Sequence, residues 1–361
     1  MDRVNVDTDA IAVSSSPVLA EHTTLRVGGP ADRLVVARTE QDLIDTVTDC
    51  DRRGEPVLVL GGGSNLLIAD DGFRGTVVRV ATHGVTADVS SCGGAAVRVA
   101  AGEDWDTFVA HAVEQEWIGV ETLSGIPGTV GAAPIQNVGA YGADVSQTIT
   151  SVRTWDRHDA TQRTFPNVDC GFGYRTSRFK REPGRYLVLE VGFQFQLGSL
   201  GAPIAYPELA GRLDVVPGKR VASAKVRDAV LAIRRGKSMV LDADDHDTWS
   251  AGSFFTNPIL DAEQAATLPD GAPRFPDAEG RIKTSAAWLI QHAGFAKGHG
   301  NGRAGLSAKH VLALTNRGGA SADDLVALAT EVRDGVAERF GIVLVPEVNL
   351  VGVTLGTSTS A

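Results

Sequence analysis

The stretch AGSFFTNP sets one small hydroxyl, Ser253, between Ala251-Gly252 and the pair Phe254-Phe255. A hydroxyl there can be a nucleophile, a proton donor or a buried turn hydroxyl. No G-x-S-x-G elbow surrounds it, no S-x-x-K follows it, and the eight histidines have no spacing that marks a base for it. A nucleophile is therefore disfavoured, and a proton-donating or structural serine remains. Arg175 stands in CGFGYRTSRFK, a dense run of aromatic and cationic residues. Its planar guanidinium can grip a carboxylate by two parallel hydrogen bonds or take part in a surface ion pair. Glu347, in LVPEVNL, is a charge inside an apolar strand pattern, either structurally paired or functional.

The 41 glycines gather in clusters at the ends of apolar runs, where backbone must turn sharply or approach something closely. LGGGSNLL carries Gly61, Gly62, Gly63, Ser64 and Asn65 after a strand-like run. Without Cβ atoms, successive N–H groups can converge on a phosphate; the other reading is a glycine-rich turn. The segment does not fit G-x-G-x-x-G leading into a helix. A second such region, ETLSGIPGTVGAAPIQNVGAYGADV, has neither helical nor alternating periodicity, and a structureless span of that length is usually functional. Two phosphate-cradling loops in one chain suit a dinucleotide. RRGKS, ending at Ser238, invites a P-loop reading, but Leu231 stands where the first glycine must be, so that reading fails. Lys237 is then a solvated helix-end lysine or a contact for an anion.

These residues need a scaffold, and 361 residues suffice for two or three domains. The formal charge of −10 argues against broad nucleic-acid binding while leaving room for a local basic pocket. Cys50, Cys92 and Cys170 are few and far apart, so no metal cluster is expected and a reduced, cytoplasmic setting is the simplest reading. MDRVNVDTDAIAVSSS has no signal-peptide pattern, and no apolar run nears the ~20 residues of a membrane span. Residues 1–17 read as a frayed extension. TEQDLIDTVTDCDRRG reads as a helix capped by Thr39 and ended by Gly54. Further helices are expected over EDWDTFVAHAVEQEW, SAKVRDAVLAIRRGKS, TSAAWLIQHA and SADDLVALATEVRDGVAERFG, the last with Ser321 as cap and Gly341 as stop. Strands are expected over PVLVLGGGSNLLI, an apolar run broken by three glycines, and over GTVVRV, AAVRVAAG, SVRTWD, RYLVLEVGFQFQL and the terminal IVLVPEVNLVGV. LDADDHDTWS reads as an acidic boundary.

Taken together, LGGGSNLLI, SGIPGTVGAAPIQNVGAYG, YRTSRFK, AGSFFTNP and LVPEVNL, in this order over residues 60–350, resemble the UDP-N-acetylenolpyruvoylglucosamine reductases, flavoenzymes of bacterial cell-wall precursor synthesis. IQNVGAYG and AGSFFTNP are the most specific of these. AYPELAGRL, with Tyr206, looks like the extra loop of the family's type I branch. The N-terminal extension and the acidic insert 242–247 depart from the pattern.

The resemblance implies an α+β fold with a two-part FAD-binding region, of the kind seen in vanillyl-alcohol oxidase-like (PCMH) proteins, and a third, α+β substrate-binding domain. The implied division is an extension 1–17, a first FAD-binding part 18–81 to which the C-terminal strand 348–361 can return, a second part 82–238, and a substrate domain 239–347. Non-covalent FAD would be held by Gly61, Gly62, Gly63, Ser64 and Asn65 and by Gly125, Asn137 and Gly139. NADPH would be the reductant and UDP-N-acetylglucosamine enolpyruvate the substrate, bound by Tyr206, Lys237 and Asn257. Ser253 would supply the proton, Arg175 would neutralise developing carboxylate charge, and a protonated Glu347 would complete the stabilisation. The Phe pair would keep water from the reacting carbon. No metal is implied, and a cytoplasmic monomer is. The rivals are another flavin-dependent oxidase or dehydrogenase, which would react fast with oxygen and ignore UDP-sugars, and a nucleotide-sensing protein that binds without turnover.

Overall fold

The computed structural model describes residues 12–277 and 279–356. Near the N-terminus, Ala31–Ala37, Phe73–Val80 and Val57–Leu60 pair in parallel, and the helix Glu40–Arg53 makes the crossover that parallel pairing requires. That helix is defined by its ends. Thr39 and Asp42 form a reciprocal capping box, and Gly54, at φ +64°, closes the last turn. Leu43, Ile44, Val47 and Cys50 give it a buried stripe.

The extension is not wholly frayed. Ala12–Ser15 adds antiparallel to the edge strand Ala31–Ala37, although all four residues are exposed. Main-chain bonds hold this strand, so it leaves no apolar alternation in the sequence; residues 1–11 lie outside the described residues.

Next comes an antiparallel sheet in the order Thr161–Pro166, Ile149–Asp156, Tyr186–Leu197, Gly94–Ala100, Val85–Ser90, with Trp117–Ile118 joined to the end of the long central strand. The helix Trp105–Glu114, capped by Asp104, packs on it through a cluster of Trp105, Phe108, Phe193, Phe195 and Trp117. Arg153 reaches from this sheet to Glu40 on the first helix, and Arg157 reaches Asp51. Such partly exposed pairs orient the two sheets more than they stabilise them.

The C-terminal region packs the helices Ala286–His292 and Ala322–Phe340 around the hairpin Ala304–Leu306/Leu314–Asn316. Ser321 and Asp324 cap the long helix reciprocally and Gly341, at φ +67°, stops it, as its sequence signals require. Phe254 and Phe255 are buried in this core beside Leu25, Val27 and Leu67 from the N-terminal region, so the two ends of the chain share one apolar cluster. Each buried ring contributes about 1.5–3 kcal/mol relative to exposure.

The terminal run does not form one long strand. Only Asn349–Val351 pairs, in parallel with Leu66–Ile68. Upstream, Ile342 and Leu344 are buried while Val343 and Val345 are exposed, and the sole bridge is between Phe255 and Pro346. Pro346 lacks the N–H that would continue a ladder. Among the described residues no helix is long and apolar enough to cross a membrane.

Candidate active site

Two loops face each other across a cleft. The first follows the strand Val57–Leu60 and contains Gly61–Asn65; the second is Ile126–Thr129. A Cβ on Gly62 would lie 2.8 Å from Gly128 Cα, and one on Gly63, at φ +62°, only 1.9 Å from the His22 carbonyl oxygen. Glycine is therefore required by both approach and conformation. Ser64 Oγ donates to Pro127 O (2.9 Å) and clamps the loops together. Among the described residues, none of the backbone N–H groups of Gly61, Gly62, Gly63, Ser64 and Asn65 has an acceptor, nor do those of Ile126, Gly128 and Thr129. Unpaired donors cost free energy when withdrawn from water, so this many of them in loops beside a cleft offer a seat for an anion.

Farther along the cleft, Arg175, Ser253 and Glu347 border one cavity together with Ser64, Asn65 and Gly139. Arg175 is held at φ +52°, a left-handed conformation that costs a non-glycine residue energy and often marks a functional site. Its Nη2 donates to Gly139 O (2.9 Å), and Lys180 Nζ donates to its carbonyl (3.2 Å). Arg175 Nε approaches Glu347 Oε1 to 2.9 Å, but its N–H is not aimed along that line and has no aligned acceptor. The two groups lie in close contact, with the Arg175 Nε–H left as a spare donor. Burial pushes the Glu347 carboxyl above the usual carboxylate range, against the pull of Arg175 and Lys180. Burial likewise pulls the Lys180 ammonium down.

Ser253 is positioned by its neighbours' backbone. Phe254 N donates to Leu312 O (2.7 Å), Glu347 N donates to Phe254 O (2.8 Å), and Thr256 N donates to Val345 O (3.0 Å). The serine and the glutamate thus hang from two segments joined by direct bonds, and Asn65 Nδ2 ties the glycine loop to the Glu347 carbonyl (3.1 Å). Gly252, at φ +71°, makes the turn into the serine. The Phe rings do not border the cavity. They anchor the loop in the core instead of keeping water from the site.

Other expected residues lie elsewhere. Gly125 borders an adjoining cavity with Gly61 and Gly62, and its N–H is already given to Asp106 Oδ1 (2.6 Å). Asn137 is buried and braces its surroundings, donating to Gly173 O (3.2 Å) and accepting from Ser146 N (3.1 Å). Tyr206 is exposed, edge-on to Tyr141 with ring centroids 5.5 Å apart. Lys237 ends the helix Ser223–Gly236 and pairs with Glu208 (2.6 Å). Asn257 Oδ1 accepts from Ala286 N (3.0 Å). None of Asn137, Tyr206, Lys237 and Asn257 borders the cavity of Ser253.

Sequence reasoning missed Lys180, Ser238 and Arg234, all of which border it. Arg234 is buried and donates to Gly125 O (3.2 Å) and Met239 O (2.8 Å). The signal was present: Val226, Val230 and Arg234 recur every four residues, placing a guanidinium on the buried face of an amphipathic helix.

Two family models match the chain: an FAD binding domain over residues 31–165, and the UDP-N-acetylenolpyruvoylglucosamine reductase C-terminal domain over 244–351. The reductase of that name from Cutibacterium acnes is 63% identical over 340 residues, covering 93% of this chain and 90% of the relative. The chain belongs to the UDP-N-acetylenolpyruvoylglucosamine reductase family. The Mycobacterium leprae member is 47% identical over 95% of the chain. The crystal structure of the Thermus caldophilus reductase superposes with a TM-score of 0.64 at 25% identity, over 94% of this chain and 99% of that one.

The protein is accordingly an FAD-dependent oxidoreductase of α+β fold, with an FAD-binding domain and a further C-terminal domain. The residues present fit the cofactor. Among the described residues, eight N–H groups of the two loops beside the cleft have no acceptor, and a dinucleotide pyrophosphate would supply acceptors of the kind they lack.

Proposed function

We propose that the protein reduces UDP-N-acetylglucosamine enolpyruvate to UDP-N-acetylmuramate with NADPH, and that Ser253 delivers the proton. When bound, FAD would supply hydride chemistry, taking hydride from NADPH and giving it to the terminal vinyl carbon. The chain's own residues handle the charge and the proton that follow. Hydride addition leaves an enolate on the substrate carboxylate. Arg175 offers its guanidinium to that carboxylate, and a neutral Glu347 can donate its O–H to the same group. Ser253 transfers its hydroxyl proton to the neighbouring carbon, and the resulting alkoxide regains a proton from solvent. A serine hydroxyl is a weak acid, so this role depends on nearby stabilisation of negative charge.

One observation carries this reading: Ser253, Arg175 and Glu347 border one cavity, with the serine and glutamate segments bonded directly through Phe254 O and Glu347 N. Burial, which raises the Glu347 carboxyl, supports its role as a neutral donor. Gly61 to Asn65 and the facing loop hold the pyrophosphate, with Gly139 beside Arg175; Gly125 and Asn137 support the second loop from behind. Tyr206, Lys237 and Asn257 are assigned to the nucleotide arm, where a phosphate would replace Glu208 as the partner of Lys237. The chain acts as a cytoplasmic monomer in cell-wall precursor synthesis, divided near residues 81 and 238. The test is an anaerobic titration of the purified protein. NADPH should bleach the flavin, and the enolpyruvyl UDP-sugar should restore its colour. A flavin that bleaches and stays bleached after the sugar nucleotide is added would refute the substrate.

A further inference from the structure

We propose that Asp247 is a positioning residue for Ser253, tying down the turn whose Leu312 carbonyl holds the serine in place; this rests on the reading of Ser253 as proton donor. Asp247 belongs to the acidic stretch 242–249, whose charges suggest a solvated boundary, yet its own side chain is only 11% exposed. It stands in the short turn His246–Thr248, which Asp245 caps by accepting from Asp247 N (3.0 Å). Thr248 Oγ1 closes the stretch on itself, accepting from Asp242 N (3.0 Å) and donating to Asp245 O (2.7 Å).

The carboxylate points out of this turn into a segment about sixty residues away. Asp247 Oδ2 accepts from Ser307 Oγ (2.7 Å) and Oδ1 from Ala308 N (2.9 Å), with Arg317 Nη2 at 3.8 Å. Ser238, at the end of the helix Ser223–Gly236, borders the same carboxylate without an aligned hydrogen bond. Burial works against the charge, but Ala308, Ser307 and Arg317 outweigh it and hold the carboxyl below its usual range.

Ser307 is a node. While donating to Asp247, its Oγ accepts from Lys309 N (3.0 Å) and His310 N (3.2 Å). Its own N–H donates to Ala313 O (2.8 Å), and Ala313 N donates to His310 O (3.1 Å). These bonds fix the turn 307–313, and Leu312 O within it accepts the 2.7 Å bond from Phe254 N, one residue from Ser253. On the other side, Ser250 bridges to Thr315 and Asn316 N donates to Trp249 O (3.0 Å). The route from Asp247 to the serine is therefore a short run of backbone bonds. An asparagine at 247 would break it electrostatically: an amide accepting from Ala308 N turns its NH2 toward Ser307 Oγ, which already receives two N–H donors.

The test uses the FAD-loaded protein in anaerobic rapid kinetics. Asp247→Asn should slow reoxidation by the enolpyruvyl UDP-sugar about ten- to a hundredfold, the scale expected when a reacting group is displaced by about 1 Å. Flavin reduction by NADPH should stay within about twofold. The double variant with Ser253→Ala should be no slower than Ser253→Ala alone, a coupling that a general loss of structure would not produce. Ser307→Ala should move reoxidation in the same direction by a smaller factor, and it carries the test if Asp247→Asn does not fold. Unchanged reoxidation, or equal losses in both half-reactions, overturns the proposal. If Ser253→Ala alone leaves reoxidation intact, the proton-donor reading falls and this one with it. If Ser253→Ala is slow and Asp247→Asn is not, only the positioning role falls.

Discussion

The two ends of the cleft are built on opposite principles. At the glycine-loop end the binding groups are main-chain N–H donors without acceptors, and the side chains of Ser64 and Asn65 are spent on holding the loops together. At the other end the groups are side chains that already face one another: Arg175 against Glu347, with Lys180 behind. A backbone site is preorganised by the turns that make it and needs particular residues only where a Cβ cannot fit. A side-chain site must instead be assembled from distant segments, here around residues 175, 253 and 347, and its electrostatics depend on burial.

That difference can be broken at either end. The largest effect is expected from Gly63→Ala, because the new Cβ would stand 1.9 Å from the His22 carbonyl at a φ of +62°. Backbone must move, and the N–H groups are displaced with it. FAD affinity, measured by fluorescence titration of stripped protein, should fall at least about a hundredfold. Retained FAD affinity would show that the loop is only a turn.

A smaller and different effect is expected from Glu347→Gln, which keeps a donor but cannot ionise. With the Glu347 carboxyl raised by burial, its donating form persists above the usual carboxylate range and is lost as pH rises through the folded value. Reoxidation in the native protein should therefore decline with rising pH, and Gln should flatten that limb while lowering the maximum about tenfold. An unchanged pH profile would remove Glu347 from proton chemistry. The same sign applies to stability: the neutral carboxyl's contribution is present below the unfolded value and lost as pH rises through the folded one.

The smallest effect concerns His310, outside both ends. Burial, reinforced by Lys237, Lys297 and Arg234 against Glu208, pulls its imidazole down to about 4. The unfolded chain takes up a proton near 6.5 that the folded protein refuses, so stability present above 6.5 is lost as pH falls toward about 4. His310→Gln should remove on the order of 1–3 kcal/mol of this acid dependence, read as Tm against pH. A parallel Tm profile for the variant would contradict it.

Much of this architecture is legible in the sequence where the cause is local. Thr39 with Asp42 and Ser321 with Asp324 start helices by bonds three residues long, and Gly54 and Gly341 end them in left-handed turns. The glycine loops are equally plain, since composition and conformation coincide there. Features that depend on remote partners are hidden. Ala12–Ser15 becomes a strand only because an edge is available to it. Asp247 looks like one of several solvated acids until Ser307 and Ala308 are brought to it. The Phe pair suggests a water seal, yet Leu25 and Leu67 from the far end of the chain draw both rings into the core.

The central claim is that Ser253 supplies the proton once hydride has been delivered. Ser253→Ala, followed under anaerobic conditions with the two half-reactions measured separately, tests it most directly. Flavin reduction by NADPH should remain near the native rate, and reoxidation by the enolpyruvyl UDP-sugar should fall by ~10²–10⁴, the usual worth of a positioned general acid. An alanine variant that reoxidises at the native rate, or loses both half-reactions equally, would contradict the account.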